Sequence, residues 1–160
     1  MQERIAKCLV FTDDGRETPE NLTSLLARQG LGAIRSVKAG ECLDLLGVQD
    51  WRFLAIDANN DGRMALRVLS QSRQTWPDVP VLMFVRQGDI HTAVQAMKAG
   101  AFDCIEMPID AVLLRAAINA LDGYGNREAG DPLLALTRVE RIVLCHVLDG
   151  RTNQIGRAHV

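Results

Sequence analysis

The segment Val81–Val85 reads VLMFV, and all five of its positions are apolar. A strand with one face in water alternates apolar and polar residues, whereas a strand covered on both faces is apolar throughout. Four other short apolar runs occur along the chain, at residues 8–12, 33–37, 53–56 and 102–106. Together the five runs predict strands of a parallel sheet that is covered by helices on both faces.

Longer segments with helical periodicity separate these runs. Leu22, Leu25 and Leu26 have the i, i+3, i+4 spacing of one helix face, and they follow Thr18 and Pro19. Similar patterns predict helices around residues 41–46, 65–69, 94–97 and 114–121, of which the first is short. Strands that alternate with helices predict the α/β class, here a doubly wound sheet of five parallel strands.

Acidic residues follow two of the predicted strands. Asp13 and Asp14 come after the first strand, and Asp57 comes after the third. These two strands are neighbours in a doubly wound sheet, where ligands bind beyond the carboxyl ends of the strands. Two carboxylates about 5 Å apart repel by roughly 3 kcal/mol at an effective dielectric near 20. Such a cluster usually holds a divalent cation or a shared proton, although Asp13 and Asp14 could alternatively be only polar turn residues.

Mg²⁺ suits this cluster, because it is a hard cation that takes oxygen ligands and keeps several waters. The predicted metal positions are Asp13, Asp14, Asp57 and Asn59.

Composition argues against several other classes of protein. The 160-residue chain has a net charge of −2, which gives no basic surface for nucleic acid. Its cysteines form no CxxC pair, so we expect reduced thiols rather than a disulfide framework or a zinc site. No apolar stretch reaches the roughly 18 residues of a membrane span, and the N-terminus lacks the apolar region of a signal peptide. The four cysteines in question are Cys8, Cys42, Cys104 and Cys145. From the reduced thiols and the lack of a membrane span or signal peptide, we expect a cytoplasmic protein.

Four segments in order, LVFTDD, LAID, PVLMFV and AVQAMKAGAFDCIEMP, resemble response-regulator receiver domains of the FixJ/NarL branch. The resemblance runs from about residue 8 to residue 121 and implies the flavodoxin-like receiver fold. It implies that Asp57 is the phospho-acceptor and that Asp13 and Asp14 belong to the Mg²⁺ site. It also implies a sensor histidine kinase as partner in a two-component system, and homodimerisation through the face formed by helix 4, strand 5 and helix 5.

The pocket departs from the family pattern at three positions. Family members have Thr or Ser at the end of strand 4, an aromatic switch residue on strand 5, and Lys before the proline that follows. Val85, Cys104 and Met107 stand at these positions. The resemblance therefore implies an atypical or pseudo-receiver, in which we expect Mg²⁺ binding to be retained and phosphorylation-driven switching to be weak or lost.

The resemblance also implies a cis peptide bond between Met107 and Pro108. An X–Pro bond favours trans by only about 0.5–1 kcal/mol, so a packed turn can select the cis form.

The composition changes at residue 122, where we expect the receiver domain, residues 1–122, to end. Residues 123–135 are rich in glycine and predict a linker. Residues 136–154, LTRVERIVLCHVLDGRTNQ, resemble the opening of a LuxR-type helix-turn-helix, without the recognition helix. We therefore expect DNA to be a partner of the full-length parent only. Residues 155–160, IGRAHV, lie out of register with that family and can be back-translated to a common sequencing adapter, so we expect a non-native tail.

Three functions stay open. The first is the receiver module of a transcription regulator, which is not an enzyme. The second is a phosphorylation-independent dimerisation or partner-binding module. The third is a small Mg²⁺-dependent phosphohydrolase with a transiently phosphorylated Asp. Such enzymes usually have an acid two residues after the nucleophile and a Lys on the phosphate, and Asn59 and Met107 supply neither.

Overall fold

The computed structural model describes residues 7–12 and 22–123. Their strands are β1 (Lys7–Phe11), β2 (Gly32–Ser36), β3 (Phe53–Asp57), β4 (Val81–Val85) and β5 (Asp103–Glu106). Their helices are α1 (Leu22–Arg28), α2 (Ala39–Leu46), α3 (Gly62–Thr75), α4 (Ile90–Lys98) and α5 (Ala111–Ala120), and a 3₁₀ turn follows at Leu121–Gly123. None of these helices has the length and the apolar character that crossing a bilayer requires.

The five strands form one parallel sheet in the order β2-β1-β3-β4-β5. This confirms the predicted α/β class and places β1 and β3 side by side. The strand ends differ from the prediction by about one residue. Asp57 is paired with Phe84 and is thus the last residue of β3, whereas Phe102 lies just before β5.

The core has two layers, one on each face of the sheet. Successive residues of a strand point to opposite faces, so β4 contributes to both layers. Met83 and Val85 pack into the layer that also contains residues of α2, α3 and α4. Leu82 and Phe84 pack into the layer that also contains residues of α1 and α5. All five residues of β4 are buried, which explains why this strand is apolar at every position.

Aspartates begin the three helices that follow β3, β4 and β5. Asp61 accepts hydrogen bonds from the amides of Arg63 and Met64 at the start of α3. Asp89 accepts from the amide of Thr92 at 3.0 Å and from its hydroxyl at 2.7 Å. Asp110 accepts from the amide of Val112 at 2.8 Å. Each carboxylate satisfies amide groups that have no partner within the helix, and its charge suits the positive end of the helix dipole.

Asp89→Ala is expected to lower the free energy of unfolding by about 1 kcal/mol, because α4 loses its N-cap. Burial raises the pKa of Asp89, but the hydrogen bonds from Thr92 and the charges of Arg86 and His91 outweigh it and hold the pKa below its ordinary value. The folded pKa is below the unfolded one, so this stabilisation is complete above about pH 4 and is lost as the pH falls through the folded pKa.

Urea denaturation of both proteins at pH 7 and pH 3 measures this effect. Asp50→Ala removes an exposed carboxylate from the loop before β3 and is the matched control. An equal loss of stability in the two variants at pH 7 would contradict the capping role of Asp89.

Candidate functional site

Asp57 ends β3 at the carboxyl edge of the sheet, beside the end of β1. Its carboxylate accepts a hydrogen bond from the amide of Asn59 at 2.9 Å and a long one from the hydroxyl of Thr12 at 3.5 Å. Since Phe11 lies opposite Ile56, the chain leaves β1 next to Asp57. Asp13 and Asp14 follow Thr12 directly but lie outside the described residues. The cluster of three carboxylates therefore stays a prediction.

The end of β4 presents an apolar side chain to this edge. Val85 is only 1% exposed and is part of the core. Its carbonyl accepts a hydrogen bond from the amide of Met107 at 2.8 Å, which ties the residue after β5 to the end of β4. Met107 is partly buried against the opposite core layer. The Met107–Pro108 bond is cis, as predicted. Neither side chain can donate a hydrogen bond.

Cys104 is fully buried in β5, facing α4, with its Sγ 3.7 Å from the carbonyl oxygen of Ala93. Burial and the nearby charge of Asp103 raise the pKa of this thiol above its ordinary value. Burial likewise raises the pKa of Cys8 and of Cys42 to about 12. All three are free cysteines and are protonated at neutral pH, so they are poor nucleophiles and poor metal ligands.

Arg86 is the pocket residue to which the sequence reasoning assigned no role. It follows β4 directly, and its guanidinium donates two hydrogen bonds to the carbonyl oxygen of Asn59, from Nε at 3.2 Å and from an Nη at 2.7 Å. A basic residue next to a strand end, at the edge that carries Asp57, was the available signal. The side chain ties the loop after β4 to the loop after β3.

The loop after β4 is also tied to β5. The amide of Gly88 donates a hydrogen bond to a carboxylate oxygen of Glu106 at 3.2 Å. Gly88 has a φ of 80°, a left-handed conformation that residues with a Cβ rarely adopt. The loop that leads into α4 is therefore fixed at both of its flanks, by Arg86 on one side and Glu106 on the other.

The described residues supply oxygen donors of the kind that Mg²⁺ prefers. These are the carboxylate of Asp57 and the carbonyl oxygen of Asn59, which are linked through the backbone of Asn59. No group of three or more His, Cys, Asp or Glu side chains that could hold a metal ion occurs within residues 7–12 and 22–123. The oxygen atoms of Asp57 and Asn59 are thus ligands of the kind that Mg²⁺ prefers. A complete set of protein ligands would also need Asp13 and Asp14.

Known proteins resemble most of this chain. Residues 9–119 match the response regulator receiver domain family. The transcriptional regulatory protein FixJ of Azorhizobium caulinodans is 28% identical over 151 residues, which cover 89% of this chain and 72% of that protein. The response regulator protein PilR of Pseudomonas aeruginosa is 29% identical over 120 residues, which cover 75% of this chain but only 27% of PilR.

Solved structures of receiver domains resemble the fold of this chain. The receiver domain of NtrX from Brucella abortus has a TM-score of 0.62 and 29% identity, and the match covers 72% of this chain and 98% of that one. Full-length FixJ from B. japonicum has a TM-score of 0.58 and 29% identity, and the match covers 73% of this chain and 57% of that one. The shared part is thus a whole receiver domain but only a portion of the longer regulator.

Proposed function

We propose that this chain, which belongs to the response regulator receiver domain family, is the receiver module of a two-component-type transcription regulator with Asp57 as its phospho-acceptor. The position of Asp57 carries this proposal, since its carboxylate ends β3 beside β1 at the edge where ligands of such sheets bind. The chain spans about three-quarters of FixJ and less than a third of PilR, so the activity of the whole regulator is part of the proposal.

Phosphorylation would begin with attack of an Asp57 carboxylate oxygen on the phosphorus of a phosphodonor. The new P–O bond forms as the bond from phosphorus to the donor breaks, so acetyl phosphate would release acetate. Asp57, Asn59 and the predicted Asp13 and Asp14 would hold Mg²⁺, which when bound offsets negative charge on the phosphoryl group.

The response to this modification would be weak. A phosphoryl group adds nearly two negative charges. Val85 and Met107 offer neither the hydroxyl nor the ammonium with which other family members bind it. Cys104 offers no ring that could rotate between β5 and α4. A ligand shifts a conformational equilibrium only through contacts that differ between the two states, and these contacts are missing here.

Partners follow from the family and stay proposals. They are a sensor histidine kinase, a second copy of the chain bound through the α4–β5–α5 face, and DNA bound by a LuxR-type domain of the full-length parent. The segment that resembles this domain, residues 136–154, lies outside the described residues, as do the proposed linker and the C-terminal tail. A second candidate function is a partner-binding module that works without phosphorylation, which the replacements at Val85, Cys104 and Met107 favour.

Acetyl phosphate in the presence of Mg²⁺ tests Asp57 as the acceptor. Intact-mass measurement is expected to show one phosphoryl group on the wild type, none on Asp57→Asn, and one on Asp61→Asn. Asp61→Asn is the matched control, because Asp61 is a carboxylate of the same loop and asparagine preserves a helix cap. Equal modification of the Asp57→Asn variant, or an unmodified wild type, would overturn the assignment. Turnover of an aryl phosphate that depends on Asp57 would instead favour the phosphohydrolase.

A further inference from the structure

We propose that the guanidinium of Arg86 is a resident cation of the Asp57 pocket and competes there with Mg²⁺. This inference deepens the proposed function and rests on it, since it concerns the same pocket. It assigns to this chain a cation that comes from the residue after β4, where the family pattern supplies one from the residue after β5.

Asn59 connects the two charges. Its amide donates to Oδ1 of Asp57 at 2.9 Å, and its carbonyl oxygen accepts from Nη2 of Arg86 at 2.7 Å. The guanidinium and the carboxylate are therefore no more than roughly 9 Å apart, because two hydrogen bonds and the width of one residue separate them. This distance is well within the Debye length of about 30 Å at 0.01 M salt, so the two charges interact at low ionic strength.

The contact with Asn59 places Arg86 in competition with a metal ion. A carbonyl oxygen has two lone pairs, and Arg86 directs two N–H groups at this one. A cation that coordinated the same oxygen would displace at least one of these hydrogen bonds. It would also be repelled by the positive charge of the guanidinium.

A simpler role for Arg86 is to connect the loops after β3 and β4 through its hydrogen bonds to Asn59. This structural role and competition with Mg²⁺ predict different results. Loss of a purely structural tie loosens Asn59 and leaves the affinity for Mg²⁺ unchanged or lower. Loss of a competing cation raises that affinity. Arg86 is exposed, so its replacement leaves the core intact.

Calorimetric titration of the full chain with Mg²⁺ in about 0.01 M KCl, where screening is weak, separates the two roles. Arg86→Ala is expected to lower the Kd for Mg²⁺ by about threefold to fivefold, from the weakly screened repulsion between a single and a double charge roughly 9 Å apart in water-like surroundings. Arg86→Gln, which loses the charge but keeps an amide donor, is expected to lower the Kd similarly. Arg28→Ala is the matched control, since Arg28 is an exposed arginine that ends α1 near the opposite edge of the sheet, and its Kd should equal that of the wild type.

The same substitution made in an Asp57→Asn background shows whether the effect depends on the carboxylate of Asp57. In that background, Arg86→Ala should bind Mg²⁺ no more tightly than Asp57→Asn alone. The inference is overturned if Arg86→Ala binds Mg²⁺ no more tightly than the wild type, or if the gain persists without the carboxylate of Asp57. These titrations use no phosphodonor, so their result is independent of whether acetyl phosphate modifies Asp57.

Discussion

The double variant Val85→Thr/Met107→Lys is expected to bind beryllofluoride, a phosphoryl mimic, about a hundredfold to ten-thousandfold more tightly than the wild type. The substitutions restore a hydroxyl and an ammonium at the two positions where the family pattern has them. A hydrogen bond to a charged group contributes about 1.5–3 kcal/mol, and every 1.4 kcal/mol is a factor of ten in affinity. Titration of both proteins in Mg²⁺, followed by fluorine or amide resonances, measures the difference.

Two controls show whether the gain comes from the pocket. Each single variant is expected to show part of the gain, because one of the two groups is restored. Leu113→Lys adds the same positive charge on the surface of α5, where Leu113 is 51% exposed, and should leave the affinity unchanged. An equal gain in Leu113→Lys would mean that net charge, and not the pocket, limits binding.

Phe84→Ala is expected to lower the free energy of unfolding by about 3–5 kcal/mol. Phe84 is fully buried in β4, with β3 on one side and β5 on the other, and packs into the layer that includes α1 and α5. Removal of its ring loses apolar burial and leaves a cavity that a rigid strand cannot close. Urea denaturation at neutral pH measures the change.

Phe102→Ala is the matched control, since the same ring is removed from a partly exposed position just before β5. Its expected cost is clearly smaller, because less apolar surface is buried there. Equal costs for the two variants would contradict the placement of Phe84 at the centre of the core.

The fold could be predicted from the sequence because a strand that is buried on both faces has apolar residues at consecutive positions. VLMFV predicted β4 at the residues where it occurs, and the structure gives the reason, since all five side chains are buried. Strand ends were less accurate, and at β3 the hydrogen-bond pairing continues one residue past the apolar run. Asp57 pairs with Phe84 and so belongs to β3, although its side chain is polar.

The site could be predicted only where its residues lie at strand ends or match the family. Asp57 was proposed on both grounds, and the cis bond before Pro108 was predicted from the resemblance alone. Arg86 was missed because the partner of a long side chain is not encoded in its spacing along the sequence. Its contact with Asn59 joins residues 27 positions apart and is visible only once β3 and β4 lie side by side.

We propose that modification of Asp57 is poorly transmitted to α4 and β5. Cys104 and Val85 are buried in the core layer that also contains α4, and neither side chain can donate a strong hydrogen bond to a phosphoryl group. Arg86 and Glu106 meanwhile hold the loop into α4 from both sides. The unmodified and modified states are therefore expected to share one arrangement of the α4–β5 face.

Amide spectra of the wild type, recorded with and without beryllofluoride in Mg²⁺, show whether α4 and β5 respond to the adduct. In the adduct we expect shifts in the loops after β3 and β4, around residues 57–61 and 85–88. We expect little change in Ile90–Lys98 and Asp103–Glu106. Stoichiometric modification of Asp57 with large shifts throughout α4 and β5 would contradict this proposal.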